Sequence, residues 1–238
     1  MIHTKNLTKK YDQLVALDGL DLKVAPGDIF CLLGANGAGK TTTINLLLGF
    51  INPTSGTASI DGMDVFQNSK ATKKILAYIP ENLMLYPNLT AVENLDYFSG
   101  IAGKRFSKSQ LEAYLAEAGL QEEAFKKRIS TFSKGMRQKV GIAIALAKDA
   151  KALLLDEPTS GLDPKASNEY GQLLQKLREK GVATLMATHD LFRAKEVATH
   201  IGIMKDGQLK QNFLAGDISL EKLEKAYLET MDYKEQLS

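Results

Sequence analysis

The stretch that most restricts how this chain can fold is Gly34-Ala35-Asn36-Gly37-Ala38-Gly39-Lys40-Thr41, which follows the pattern G-x-x-x-x-G-K-[ST] of a phosphate-binding loop. Five apolar residues, Ile29 to Leu33, run straight into it, and Thr42 to Gly49 behind it reads as a helix. The loop therefore joins a buried strand to a helix N-terminus. The residue types suit an anion. Gly34, Gly37 and Gly39 lack a Cβ, so the backbone can take φ > 0 and approach a ligand closely. Backbone N–H groups then form a concave nest for phosphate oxygens, and the helix dipole adds positive potential there. Lys40 can reach the terminal phosphates as a point charge, and the Thr41 hydroxyl can ligate Mg²⁺.

The remaining apolar runs predict the scaffold around this loop. Leu20, Leu22 and Val24 alternate at period two, and Pro26-Gly27-Asp28 reads as a turn. Thr57 to Ile60 followed by Asp61-Gly62 suggests a hairpin. Ile75 to Ile79 is a short strand ahead of Pro80-Glu81-Asn82. Ala152 to Leu155 ends at Asp156-Glu157, Val182 to Ala187 ends at Thr188-His189, and residues 165–180 between them read as a helix. Strands buried on both faces and joined by helices imply a parallel sheet. In such sheets ligands sit beyond the carboxyl ends of the strands. The strands ending at Gly34, Asp156-Glu157 and His189 thus predict one shared site. Asp156 is expected to hold Mg²⁺, Glu157 to polarise an attacking water, and His189 to hydrogen-bond a terminal phosphate.

Between the two halves of this α/β core, residues 84–148 read as a helical insertion. Thr90 and Glu93 form a capping-box pattern. Leu111, Leu115 and Ala118 share one helix face, with Gly119 near its C-cap. The helix from about 135 to 148 is apolar nearly all round, so burial is expected. The expected division is one domain over 1–238, with a core at 1–83 and 149–215, a helical subdomain at 84–148 and a tail at 216–238. Leu220, Leu223, Ala226, Tyr227 and Leu228 in that tail fit either a small docked helix or a frayed end.

Composition removes several function classes. The formal net charge of the 238 residues is +2, and the basic residues are scattered, which argues against nucleic acid as the main partner. Cys31 is the single cysteine, so neither an internal disulfide nor a multi-cysteine metal site can form. No apolar run approaches the ~18 residues that suggest a membrane span. The Met1-to-Lys5 start lacks the apolar core of a signal peptide. A cytoplasmic location is expected, with any membrane role coming through a partner.

Taken together, these residues resemble the ATP-binding subunit of an ABC transporter, from Tyr11 to about Gly207. Tyr11 matches the aromatic that stacks on adenine, and Gly34 to Thr42 match Walker A. Ser133, Lys134, Gly135 and Met136 fall in the signature segment, Leu153 to Pro158 match Walker B, and Ser160, Gly161, Leu162 and Asp163 match the D-loop. The resemblance implies a P-loop NTPase of the ABC-ATPase fold: a mostly parallel core sheet, an antiparallel β subdomain and a helical subdomain. It implies ATP and Mg²⁺, with Thr41, Asp156 and Glu81 at the metal and Glu157 and His189 as catalytic residues. It also implies partners: membrane permease subunits and a second cassette, identical or homologous, paired head to tail. Ser133 and the Gly135 N–H would then meet ATP held by the other chain, and the protein would sit peripherally on the cytoplasmic face of the membrane.

Two segments depart from the commonest family pattern. The signature, usually L-S-G-G-Q, reads Phe132-Ser133-Lys134-Gly135-Met136, which keeps Ser133 and Gly135 but brings Lys134 and Met136, and Glu81 stands where glutamine is usual. Together with Tyr78-Ile79-Pro80, they resemble ATPases of ABC-2-type export systems. The Pro80-Glu81-Asn82 form looks closest to accessory transporters of nitrous oxide reductase maturation. Leu83, Met84, Leu85, Tyr86 and Leu89 are apolar for a loop, which fits a docking surface for the membrane partner. A soluble ABC ATPase would usually carry two cassettes or a coiled coil, and this sequence shows neither. A non-hydrolysing sensor would not need Glu157 and His189.

Overall fold

The computed structural model describes residues 1–231; positions 232–238, the end of the expected tail, lie outside the described residues. Two sheets share the work. The first is antiparallel and joins β1 (Ile2–Tyr11), β2 (Leu14–Val24), β4 (Ser55–Ile60) and β5 (Met63–Asp64) in the order β2-β1-β4-β5. The Thr57–Ile60 hairpin is its β4–β5 corner, with Ile60 opposite Met63.

The second sheet carries the site. It contains β3 (Ile29–Leu33), β6 (Leu76–Ile79), β7 (Ala152–Asp156), β8 (Ala183–Thr188), β9 (His200–Lys205) and β10 (Gln208–Leu214), in the order β10-β9-β3-β8-β7-β6. β9, β3, β8, β7 and β6 pair in parallel, and β10 closes one edge antiparallel. All five residues of β3 are buried, as a strand covered on both faces must be. Its side chains alternate between two cores. Ile29, Cys31 and Leu33 enter a cluster with the helices, whereas Phe30 and Leu32 enter a cluster with the antiparallel sheet. Burial pushes the Cys31 thiol up, so this cysteine serves as a small apolar residue.

Helices cover both faces. α1 (Lys40–Leu47) lies in the cluster shared with the antiparallel sheet, and α2 (Ser69–Ile75) leads into β6. α6 (Pro164–Glu179) joins β7 to β8, and α7 (Leu191–Val197) joins β8 to β9. α8 (Leu220–Thr230) resolves the two readings of the tail over its described part. Leu223 is fully buried, and Ala226 and Tyr227 pack on the helical-side core, so the helix is docked on its own chain.

The inserted helices are α3 (Ala91–Ile101), α4 (Lys108–Glu117) and α5 (Lys134–Lys148). Thr90 and Glu93 make the expected capping box on α3, and Ser107 and Gln110 make a second one on α4. No residue of α5 is exposed, in accord with its all-round apolar pattern. The apolar loop before α3 divides: Leu85 is core, whereas Met84 and Tyr86 are exposed.

A buried amide that the periodicity does not reveal fixes this loop. Asn94 Oδ1 accepts from the Tyr86 N–H at 2.8 Å, and its Nδ2 donates to the carbonyls of Tyr86 at 3.1 Å and Thr90 at 2.9 Å. Asn94→Ala would leave the Tyr86 N–H without its partner and empty a fully buried side-chain site, while the Tyr86 and Thr90 carbonyls keep the N–H groups of Leu89 and residue 94. It is expected to lower stability by about 2–3 kcal/mol, read as an earlier urea or thermal unfolding transition.

Candidate active site

The phosphate loop leaves β3 and enters α1 as the pattern predicts, but its glycines do different jobs. Gly37 and Gly39 have φ of +84° and +102°, the left-handed region that favours glycine. Gly34 does not take a positive φ. Its missing side chain instead makes room for a backbone, since a Cβ there would lie 2.6 Å from the Met204 carbonyl oxygen. The turn between β9 and β10 also braces the loop. The Gly207 N–H donates to the Ala38 carbonyl at 3.1 Å, and the Gly207 carbonyl accepts from the Asp18 N–H at 2.9 Å. The Asp206-Gly207 pair between two apolar runs is a hairpin signal that could have located this support.

Lys40 is buried. Its ammonium donates to the carbonyls of Gly34 at 2.6 Å and Ala35 at 3.1 Å, and lies 3.8 Å from Glu157 Oε1. Burial pulls its pKa below the usual lysine range, and the carboxylates of Glu157 and Asp156 oppose that. The loop thus folds its cation back over its own carbonyls.

β7 delivers Asp156 and Glu157 beside the loop. Thr41 Oγ1 donates to Asp156 Oδ1 at 3.4 Å. Burial raises the Asp156 carboxyl above its ordinary range, an effect that the Thr41 hydrogen bond counters. Glu157 has φ +48°, whereas the other non-glycine residues with positive φ among those described are all Asn or Asp. Short Asn and Asp side chains tolerate this region, while a longer side chain held there marks local strain. The strand end is held by the Glu157 N–H donating to the Ala187 carbonyl at 2.9 Å. Glu157 Oε2 faces His189, 2.9 Å from Nδ1, and accepts from the His189 N–H at 3.4 Å. Its Oε1 is buried and makes no hydrogen bond.

These parts surround a cavity of about 630 Å³, within the size range of ordinary ligand sites. Ala35 to Thr42, Glu81, Asp156 and Glu157 line it, with Tyr11 among the lining residues. Leu14, Val15, Ala16 and Asp206 also line it, and the sequence reading missed them. The Tyr11 ring is half exposed with the Lys9 ammonium 4.7 Å from its centroid, so one of its faces already carries a cation. His189 reaches the site through Glu157 rather than by lining the cavity.

The donor set fits Mg²⁺. Thr41 and Asp156 present neighbouring oxygens, and the buried Glu157 Oε1 has no hydrogen-bond partner. Among the described residues no group of three or more His, Cys, Asp or Glu gathers as a metal cage. Mg²⁺ in phosphate sites needs only one or two carboxylates, the rest of its shell coming from phosphate and water.

Other expected site residues do local structural work. Ser133 caps α5 by accepting from the Met136 N–H at 3.2 Å, and Asp163 caps α6 by accepting from the Ala166 N–H at 2.9 Å. Gly161 takes φ +67° in the turn before α6. Ser133, Gly135, Met136 and Leu162 do not line the cavity of their own chain.

Comparison with known proteins points the same way. Residues 17–160 match the family model described as ABC transporter. The bacitracin transport ATP-binding protein BcrA of Bacillus licheniformis is 40% identical over 96% of this chain and 74% of its own. Its namesake in Enterococcus faecalis is 38% identical over 88% of this chain and 68% of its own. A bacterial ABC transporter cassette solved as a dimer superposes with a TM-score of 0.80 at 29% identity, covering 90% of this chain and 99% of that one. Neither curated relative is named for nitrous oxide reductase maturation, so the finer resemblance of Pro80-Glu81-Asn82 gains no support from them.

Gly39→Ala tests the geometry of the loop. A Cβ there would meet the Ala16 carbonyl oxygen at 2.8 Å on a backbone that L side chains rarely adopt. The substitution is expected to cost about 1–3 kcal/mol and to weaken phosphate binding, read by urea unfolding and nucleotide titration.

Proposed function

The chain belongs to the ABC transporter ATP-binding family, and we propose that it powers an export-type transporter as one of two head-to-tail cassettes beneath membrane permease subunits. It is an ATPase, as its family membership entails. The observation that carries the proposal is the meeting of Lys40, Thr41, Asp156 and Glu157 in one cavity at the carboxyl end of the parallel sheet.

ATP lies with its adenine on Tyr11 and its phosphates in the nest of Gly34 to Thr42. Lys40 exchanges its carbonyl partners for the terminal phosphate oxygens. Thr41 and Asp156 would hold Mg²⁺, with Glu81 at the same end of the cavity, and the ion would neutralise charge on the transferred phosphoryl group and the departing ADP. The unsatisfied Glu157 Oε1 accepts from the attacking water, and His189 steadies the other Glu157 oxygen. Ser133 is exposed at the N-cap of α5 and would meet ATP bound by the second, identical or homologous, cassette, with Gly135, which is buried against Ala166 and Leu162, presenting its N–H beside it once the cassettes pair. Closure of the pair is then governed by γ-phosphate contacts and released by hydrolysis.

A contiguous exposed patch supports the membrane partner. Tyr86, Tyr97 and Phe98 pack ring to ring, with Tyr86 and Tyr97 centroids 4.7 Å apart. Phe98 and Ile101 continue into a groove of about 620 Å³ flanked by Lys70, Lys73, Lys74 and Lys148. The Lys73 ammonium lies 5.6 Å from the ring of exposed Phe50. Such a face suits an amphipathic cytoplasmic helix of a permease, with acidic residues beside apolar ones. Among the described residues no helix is long and apolar enough to cross a membrane. On this reading the permease holds the chain at the cytoplasmic face of the membrane. Bacitracin transport belongs to the BcrA relatives, and a peptide antibiotic or other drug is the cargo class that they suggest.

Steady-state ATP turnover against chain concentration tests the core of this reading. Turnover per chain should rise with concentration, and Glu157→Gln should reduce it by on the order of 10²–10⁴ while ATP binding persists. A binding module that does not hydrolyse ATP would show no difference between the two proteins. Ile101→Glu tests the patch. It is expected to abolish co-purification with the permease and leave the turnover of the isolated chain unchanged; undiminished co-purification would move the docking face elsewhere.

A further inference from the structure

Lys134 and Glu81, two of the positions that depart from the common family pattern, touch each other in the fold. Lys134 Nζ donates to Glu81 Oε1 at 3.3 Å across 53 residues of sequence. Ser160 Oγ donates to the same oxygen at 2.8 Å. One helical turn beyond Lys134, the buried Gln138 donates through Nε2 to the carbonyls of Pro80 and Glu81, both at 3.1 Å. Lys134 and Gln138 are i and i+4 on α5, so one helix face holds both the side chain and the backbone of Glu81. The same face lies close against the following segment, since a Cβ on Gly141 would be 2.8 Å from Leu83 Cδ2.

Glu81 also lines the nucleotide cavity together with Asp156 and Glu157. Lys134 Nζ and Ser160 Oγ both donate to Glu81 Oε1, which is the surrounding a carboxylate takes in its charged form. Three carboxylates therefore face the end of the cavity where Lys40 is placed for the terminal phosphate. A glutamine at this position would bring no charge. A glutamate brings one that repels a triphosphate more than a diphosphate, unless a cation beside it cancels the charge.

We propose that Lys134 is a positioning residue that neutralises Glu81 and so raises the affinity of this cavity for ATP relative to ADP. Through the same contact it ties the signature turn at the start of α5 to the nucleotide site of its own chain. Glu81 and Lys134 thus form a compensating pair. The inference rests on the reading that nucleotide phosphates fill this cavity.

Titration of the purified chain with ATP and with ADP, each in EDTA and again in excess Mg²⁺, tests it. In EDTA, Lys134→Ala is expected to weaken ATP binding on the order of tenfold and ADP binding distinctly less, so the affinity ratio falls. Lys134→Arg should restore the ratio, because it returns the charge. Lys134→Ala placed on Glu81→Gln should change the ratio little, because there is no longer a charge to cancel. A merely structural loss at the start of α5 would weaken both nucleotides alike and would persist in the Glu81→Gln background. An unchanged ratio in Lys134→Ala, or an undiminished effect in the double variant, overturns the inference while wild-type binding leaves the site reading intact. A wild-type chain that binds neither nucleotide removes the site reading and this inference with it.

Discussion

The central strand β3 is hydrogen-bonded in parallel to β8 on one side and β9 on the other, with Phe30 level with Leu185 and His200. That double pairing fixes where the phosphate loop begins. It also sets the neighbours of the loop, because parallel strands deliver their carboxyl ends to the same edge of the sheet. The Gly34 N–H donates to the Thr188 carbonyl at 3.3 Å, which ties the loop to the end of β8 one residue before His189. β7 pairs with β8 and places Asp156 level with Ala187. A shift of one residue in this ladder would turn the side chains of a strand to the opposite face, and both cores would oppose it.

Charges are gathered at that edge at some cost to themselves. Lys40 is desolvated and Asp156 is held above its usual range, so neither group is in the environment that it prefers. Glu157 adds a backbone in an uncommon conformation and a buried oxygen without a hydrogen bond. Unfavourable features of this kind persist only where the surrounding structure over-determines them, and here two fully packed clusters meet at β3. On the proposed reading, a bound nucleotide with its metal would relieve each group: phosphate oxygens for Lys40 in place of its own loop carbonyls, a cation for Asp156 and a water for Glu157.

Local pattern made much of this legible in the sequence. The apolar runs of β3, β7 and β8 and the residues that follow them announced a parallel sheet and its edge, because burial on both faces leaves an uninterrupted hydrophobic signal. Capping at Thr90 was legible for the same reason, since its partner Glu93 is three residues away. Features that depend on distant partners were not legible. Nothing in the sequence near Gly34 shows that it yields to the Met204 carbonyl, and nothing near Asn94 shows that its amide closes the Tyr86 turn. The apolar loop from Leu83 to Leu89 was ambiguous because composition cannot separate Leu85, which packs inward, from Met84 and Tyr86, which face out.

The placement of α5 gives the helical layer more than a packing role. Its N-terminus carries Ser133 and Gly135, which the chain does not use in its own cavity, while Lys134 and Gln138 on the same helix hold Glu81, which the chain does use. On the proposed reading, a displacement of Glu81 by phosphate or metal would pull, through Lys134, on the turn that carries Ser133. The exposed rings of Tyr86 and Tyr97 stand just beyond the same segment, linked through a hydroxyl contact of 3.0 Å. Nucleotide cavity, signature turn and aromatic face are thus joined through one short stretch, Pro80 to Tyr86, anchored at one end by Gln138 and at the other by Asn94. Side-chain amides fix this stretch at both ends, and that is the mechanical condition under which charge at the phosphates would be felt at the proposed docking face.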